Sequence, residues 1–107
     1  MKKLTNLDGR IEVLDDRTNV DEKGLPTFRS LLRMILNNQV PKNAEESLDV
    51  NQILLKLRQV ETELEFENAE FKLLYDKTGE NQAKMLQQFH GQLLAYLKSC
   101  EKESEKK

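Results

Sequence analysis

Tryptophan is absent, Cys100 and His90 are the only cysteine and histidine, and two prolines and four glycines punctuate 107 residues. A single cysteine rules out an intrachain disulfide and with it the small secreted scaffold that depends on one. One His and one Cys cannot supply the three or four ligands that zinc requires. The two lie on one helical segment, about 15 Å apart at ~1.5 Å per residue, too far to act as nucleophile and base. None of the glycines belongs to a phosphate-cradling loop, which removes nucleotide hydrolysis. Neither charge sign dominates. Lys and Arg number 17 against 19 Asp and Glu, a net charge of −2, and so there is no general attraction to phosphate backbones. No apolar run reaches the length of a membrane span. The opening Met-Lys-Lys is followed by Asn6, Asp8 and Arg10, which interrupt the apolar core of a signal peptide. These absences predict a non-enzymatic protein with no metal, no cofactor, no catalytic set and a cytoplasmic address.

What is present suits one domain. A chain of this length buries roughly 60–68% of the surface it exposes when unfolded, which is one core without a deep cleft. With 37% hydrophobic and 34% charged residues, the chain can fold under a heavily charged surface. Residues 3–14 read as a β-hairpin about Asp8-Gly9, a pair that suits a tight two-residue turn. Residues 15–26 carry charge, Gly24 and Pro26 without a period, the mark of a loop. Over 27–38, Phe28, Leu31, Leu32, Ile35 and Leu36 recur at helical spacing behind the N-cap Thr27. After a linker at 39–48, a second helix over 49–59 presents Val50, Ile53, Leu54 and Leu57, with Asp49 and Gln52 as a capping box. A strand over 60–65 and a helix over 67–78 follow. The helix carries Phe71, Leu74, Tyr75 and Thr78, and Gly79 is its stop. A last helix over 82–101 bears the stripe Leu86, Phe89, Leu93, Leu97 and Cys100. The expected fold is therefore α+β. A small antiparallel sheet, made of the N-terminal hairpin and one later strand, is covered by about four helices over residues 1–101, and a charged disordered tail occupies 102–107.

Glu61, Glu63, Glu65 and Glu67 alternate with apolar or neutral residues, the period of a half-buried strand. A straight row of carboxylates does not surround a hard cation, so this is first a solvated edge and second a docking face for a basic partner. Met85, Leu94 and Tyr96 fall off the stripe of the last helix, beside Gly91. Either they form a patch for self-association as a homodimer, or the sheet and first helix bury them. Gly91 itself, inside a helix, points to close approach by another element. Arg29, Arg33, Lys56 and Arg58 on the first two helices are the basis of an alternative, a small nucleic-acid-binding regulator. The long connection containing Pro41 does not fit a helix-turn-helix.

Several short words, "NLDG" with Leu7, Asp8 and Gly9, a Thr27-led helix with Leu31-Leu32, Leu64-Glu65, and "GQLLAYL" with Gly91, Gln92, Leu93 and Leu97, make the chain similar to a group of small uncharacterised proteins encoded by tailed phages and prophages. The resemblance implies a phage or prophage origin and brings no functional residue with it. The expected function is binding of another protein, a phage structural or host protein, or of a second copy, in virion assembly or against a host factor.

Overall fold

The structure, a computed structural model, describes residues 1–11 and 25–105, and these form a small α+β fold. In chain order the elements are β1 (Lys2–Leu4), α1 (Phe28–Asn37), α2 (Ala44–Leu57), β2 (Leu64–Phe66), α3 (Asn68–Glu80) and α4 (Gln87–Glu105). The sheet has two antiparallel strands, with Lys2 opposite Phe66, Lys3 opposite Glu65 and Leu4 opposite Leu64. Leu4, Leu64 and Phe66 face inward and meet Leu32, Ile35, Ile53, Leu57, Leu74, Leu93 and Leu97 in one core.

The expected hairpin is replaced by a different pairing. Residues 12–14 lie outside the described residues, but the turn before them already points elsewhere. It closes from Asn6 to Gly9 through the Gly9 amide on the Asn6 carbonyl, 2.9 Å, and Asn6 is the left-handed residue at φ 54°. Gly9 has no positive φ. It is needed for space, because a Cβ there would stand 2.4 Å from the Asn6 side-chain amide. The chain then runs beside the start of α1. The Gly9 and Leu7 carbonyls accept from the amides of Phe28 and Arg29, and Thr27 Oγ1 accepts from Ser30 N at 3.1 Å. Three amides that a helix start leaves without intrahelical partners are thereby satisfied.

Other element boundaries move for equally local reasons. Helix α2 starts at Ala44, five residues before Asp49, because Asn43 caps it by accepting from Glu46 N at 2.8 Å. The strand expected over 60–65 shrinks to Leu64–Phe66, and Val60 is 90% exposed. Helix α3 runs through Gly79 and ends at Asn81, φ 50°. The Asn81 side chain then brackets Met85, accepting from its amide at 2.9 Å and donating to its carbonyl at 3.1 Å. That bracketed turn delays α4 to Gln87, leaves Leu86 exposed and carries Met85 inward. At its far end α4 continues to Glu105, past the boundary expected at 101. Lys3 N donates to Ser104 Oγ at 2.9 Å, and Lys2 pairs with Glu105 at 3.1 Å.

One side chain ties several of these pieces together. Arg29, on the first turn of α1, donates to the carbonyls of Leu57 (2.8 Å), Gln59 and Glu61, and its Nε reaches Asp8 at 3.3 Å. It closes the C-terminal end of α2 and holds the segment that leads into β2. Replacing Arg29 with Ala is expected to lower stability by roughly 1.5–3 kcal/mol, the range for charged hydrogen bonds. Arg29→Lys should recover less than half of the loss, since one ammonium cannot span three carbonyls. Urea unfolding measures both, and a Lys variant as stable as wild type would contradict the clamp.

Candidate functional site

The residues singled out in sequence separate into those the fold consumes and those it leaves outward. Met85 is 9% exposed and bracketed by Asn81. Tyr96 stacks on Phe28 with ring centroids 4.1 Å apart and planes 5° from parallel, and its hydroxyl donates to the Thr5 carbonyl at 2.6 Å. Burial, reinforced by Cys100, pushes the Tyr96 phenol far above its ordinary value, so it stays a neutral donor. Leu94 is half-buried between them in sequence. Of the three residues, Met85 is thus buried just ahead of α4, and Leu94 and Tyr96 are half-buried on it. Nor does Gly91 receive another element, because an added Cβ would meet only the Gln87 side chain, at 3.4 Å. His90 has a structural task, since its Nε2 donates to the Thr78 carbonyl at 2.9 Å.

The basic set divides in the same way. Arg29 is held by carbonyls as described. Lys56 pairs with Glu70 at 2.7 Å, donates to the Glu65 carbonyl at 3.2 Å and sits 5.0 Å from the centre of the Phe66 ring. Burial pushes the Glu70 carboxyl up, but Lys56 and the Glu67 amide outweigh it and hold it below the usual range. Arg33 and Arg58 remain exposed.

Glu61, Glu63, Glu65 and Glu67 are all exposed, as a solvated edge requires. Glu65 lies in the regular strand, Glu63 and Glu67 flank it, and Glu61 stands outside it. Glu63 reaches Lys3 at 3.7 Å, with the Lys3 and Glu63 side chains 37% and 58% exposed. With Lys2, Glu65 and Ser104 they border a shallow depression of about 490 Å³ whose charges are mixed. One outward backbone group on each strand is already taken. Ser104 takes the outward amide of Lys3, and Lys56 takes the outward carbonyl of Glu65. An incoming strand would find no free ladder at those positions. Among the described residues no group of three or more His, Cys, Asp or Glu is placed to hold a metal ion. Among the same residues, no helix is long and apolar enough to cross a membrane.

The outward face of α2 is the surface that sequence reading missed. Val50, Ile53 and Leu57 turn into the core, whereas Leu48 and Leu55 stand 66% and 48% exposed. Their seven-residue spacing puts them on one line of the helix, opposite the buried stripe. That spacing was readable in "SLDVNQILLKL", but Leu48 fell in the presumed linker. Val40 and Val60, 73% and 90% exposed, stand just beyond the two ends of the helix. Beside Leu48, a groove of about 300 Å³ runs between the end of α1 and α2, floored by Leu36, Val50 and Leu54. Exposed apolar residues gathered about one helix mark an interaction surface more than isolated ones do.

No family model, curated protein or solved structure matches the chain.

What holds α2 in this orientation is a buried ion pair at its N-terminal end. Lys77 on α3 is 2% exposed, with its ammonium 2.6 Å from Glu46 and 3.5 Å from Glu80. The hydrogen bond from Lys77 holds the Glu46 carboxyl below its ordinary value, and Glu46 in turn holds Lys77 above its own. The Glu46 contribution is present above the ordinary carboxylate value of 4.5 and is lost as pH falls through its depressed folded value. The Lys77 contribution is present below 10.5 and is lost as pH rises through its raised folded value. Stability should therefore be flat between those limits where this pair is concerned. Glu46→Gln is expected to be less stable than wild type at neutral pH and to lose less on acidification below 4.5. Parallel urea melts across the acid range test this, and identical slopes in the two proteins would refute the pair's role.

Proposed function

We propose that this is a non-enzymatic protein-interaction protein whose binding face is the outward side of α2. The observation that carries the reading is the exposure of Leu48 and Leu55 on a helix fastened at both ends, by Arg29 at one and by the Lys77–Glu46 pair at the other. A rigid helix presenting apolar anchors is a common means of protein recognition, because little ordering entropy opposes binding. The buried ammonium of Lys77 and the half-buried phenol of Tyr96 are engaged in ion pairing and a backbone hydrogen bond, which supports a structural role for both. The resemblance to tailed-phage and prophage proteins suggests the setting, either virion assembly or capture of a host factor. The exposed glutamates 61, 63, 65 and 67 would offer a separate acidic region to a basic partner. The nucleic-acid reading draws on four basic residues of which Arg29 and Lys56 have other tasks.

A photo-crosslinking residue placed at Leu55, in cells that carry the gene, is expected to give a discrete protein adduct. The same residue placed at Lys72, exposed on α3, should give none. Equal labelling at the two positions would count against α2 as the binding face.

A further inference from the structure

Asp8 is the only Asp or Asn in the chain that a glycine follows. That pair has a chemistry of its own. The Gly9 nitrogen attacks the Asp8 Cγ, a C–N bond forms, a C–O bond breaks, and water leaves as a succinimide ring closes. Glycine favours the approach because no Cβ obstructs it. Water then reopens the ring. Where it cleaves the bond between the Asp8 α-carbonyl carbon and the Gly9 nitrogen, the chain runs on through Cγ as isoaspartate. The water lost is the water regained, and no oxidant, reductant or cofactor takes part.

In the fold both reacting groups are engaged. Gly9 N donates to the Asn6 carbonyl at 2.9 Å, and the Gly9 carbonyl accepts from Phe28 N at 3.0 Å. The Asp8 carboxylate lies 3.3 Å from Arg29 Nε, with its side chain 55% exposed to water. The nucleophile is tied to one partner and the carbon it must attack belongs to a group tied to another. We propose that Asp8-Gly9 is a site of spontaneous aspartyl isomerisation, that opening of this turn sets its rate, and that Arg29 is the latch. The product does not fit the turn it came from. Isoaspartate adds a carbon to the backbone and leaves a carboxylate one carbon shorter for Arg29. The turn has little room, since even a Cβ on Gly9 would stand 2.4 Å from the Asn6 side-chain amide. Because Arg29 also holds the carbonyls of Leu57, Gln59 and Glu61, the damage reaches the end of α2. None of this depends on α2 being a binding face.

Trypsin releases residues 4–10 as one peptide, between Lys3 and Arg10. Its isoaspartyl form has the same mass and a different retention time, so incubation of the full chain at physiological pH and temperature gives the rate. The native protein is expected to isomerise roughly tenfold or more slowly than the chain in denaturing urea, because only the open fraction reacts. Arg29→Ala should speed the native reaction by roughly fivefold or more. Glu46→Gln, which loosens the far end of α2 without touching this turn, should stay within about twofold of wild type. Circular dichroism establishes that each variant is folded, and Arg29→Lys takes the place of an Arg29→Ala protein that is not. Absence of isoaspartate in the unfolded chain overturns the site, and equal rates in native and unfolded protein overturn its protection. An Arg29 variant no faster than Glu46→Gln overturns the latch. The isoaspartyl protein, separated and refolded, should unfold at lower urea than the unmodified chain. Equal stability of the two would contradict the misfit.

Discussion

The position of α2 depends on the Arg29 guanidinium more than on any other single group. A helix end leaves its last carbonyls without intrahelical partners, and α2 ends where the chain must turn toward the sheet. Arg29 answers both needs at once. Its planar fork takes carbonyls from Leu57, Gln59 and Glu61, and Asp8 holds it from the other side. The segment it gathers delivers Thr62, whose carbonyl accepts from Leu7 N at 3.1 Å, and then Leu64 opposite Leu4. The register of the small sheet is thus coupled to a side chain on α1.

At the opposite end of α2, Lys77 and Glu46 perform the complementary task. A buried ammonium is tolerated only where carboxylates compensate its lost hydration, and Glu46 with Glu80 does so. Because Glu46 also accepts from Lys42 N at 3.2 Å, the ion pair and the start of the helix stand or fall together. Contacts at both ends hold α2 in this orientation. Val50, Ile53 and Leu57 stay inward and Leu48 and Leu55 stay outward. Two polar ties, each explicable on stability grounds alone, flank the helix that carries the exposed Leu48 and Leu55.

How legible this was in sequence varied with the reach of the interactions. Helix α1 was readable to within a residue, because Thr27 and the stripe Leu31, Leu32, Ile35 and Leu36 are signals within the helix itself. The placement of Leu64 in the sheet was readable from alternation, and the exposure of Glu61, Glu63, Glu65 and Glu67 from charge. The start of α2 was missed although Asn43 and Glu46 form a cap pattern, because the residues after it are polar and no apolar period announces a helix. Gly79 misled for a related reason: a glycine in open space can continue a helix, and the stop fell instead to Asn81, whose side chain could also staple the next turn.

By itself the sequence determined the α+β class, the four helices of the described residues and the absence of any long apolar span, because each follows from composition and from periods that neighbouring residues carry among themselves. It also determined which residues were available for an interface. Tertiary structure alone decided which of those were buried and which stayed outward. Tyr96 and Met85 looked outward on a helical wheel and were drawn in by Phe28, Thr5 and Asn81. Arg29 and Lys56 looked like free cations and were taken by carbonyls and by Glu70. Leu48 and Leu55 looked like ordinary helix content and were left in water. The physical reason is that a side chain's environment depends on what lies across from it. Long-range partners such as Tyr96 and Thr5 leave no periodic trace in the chain.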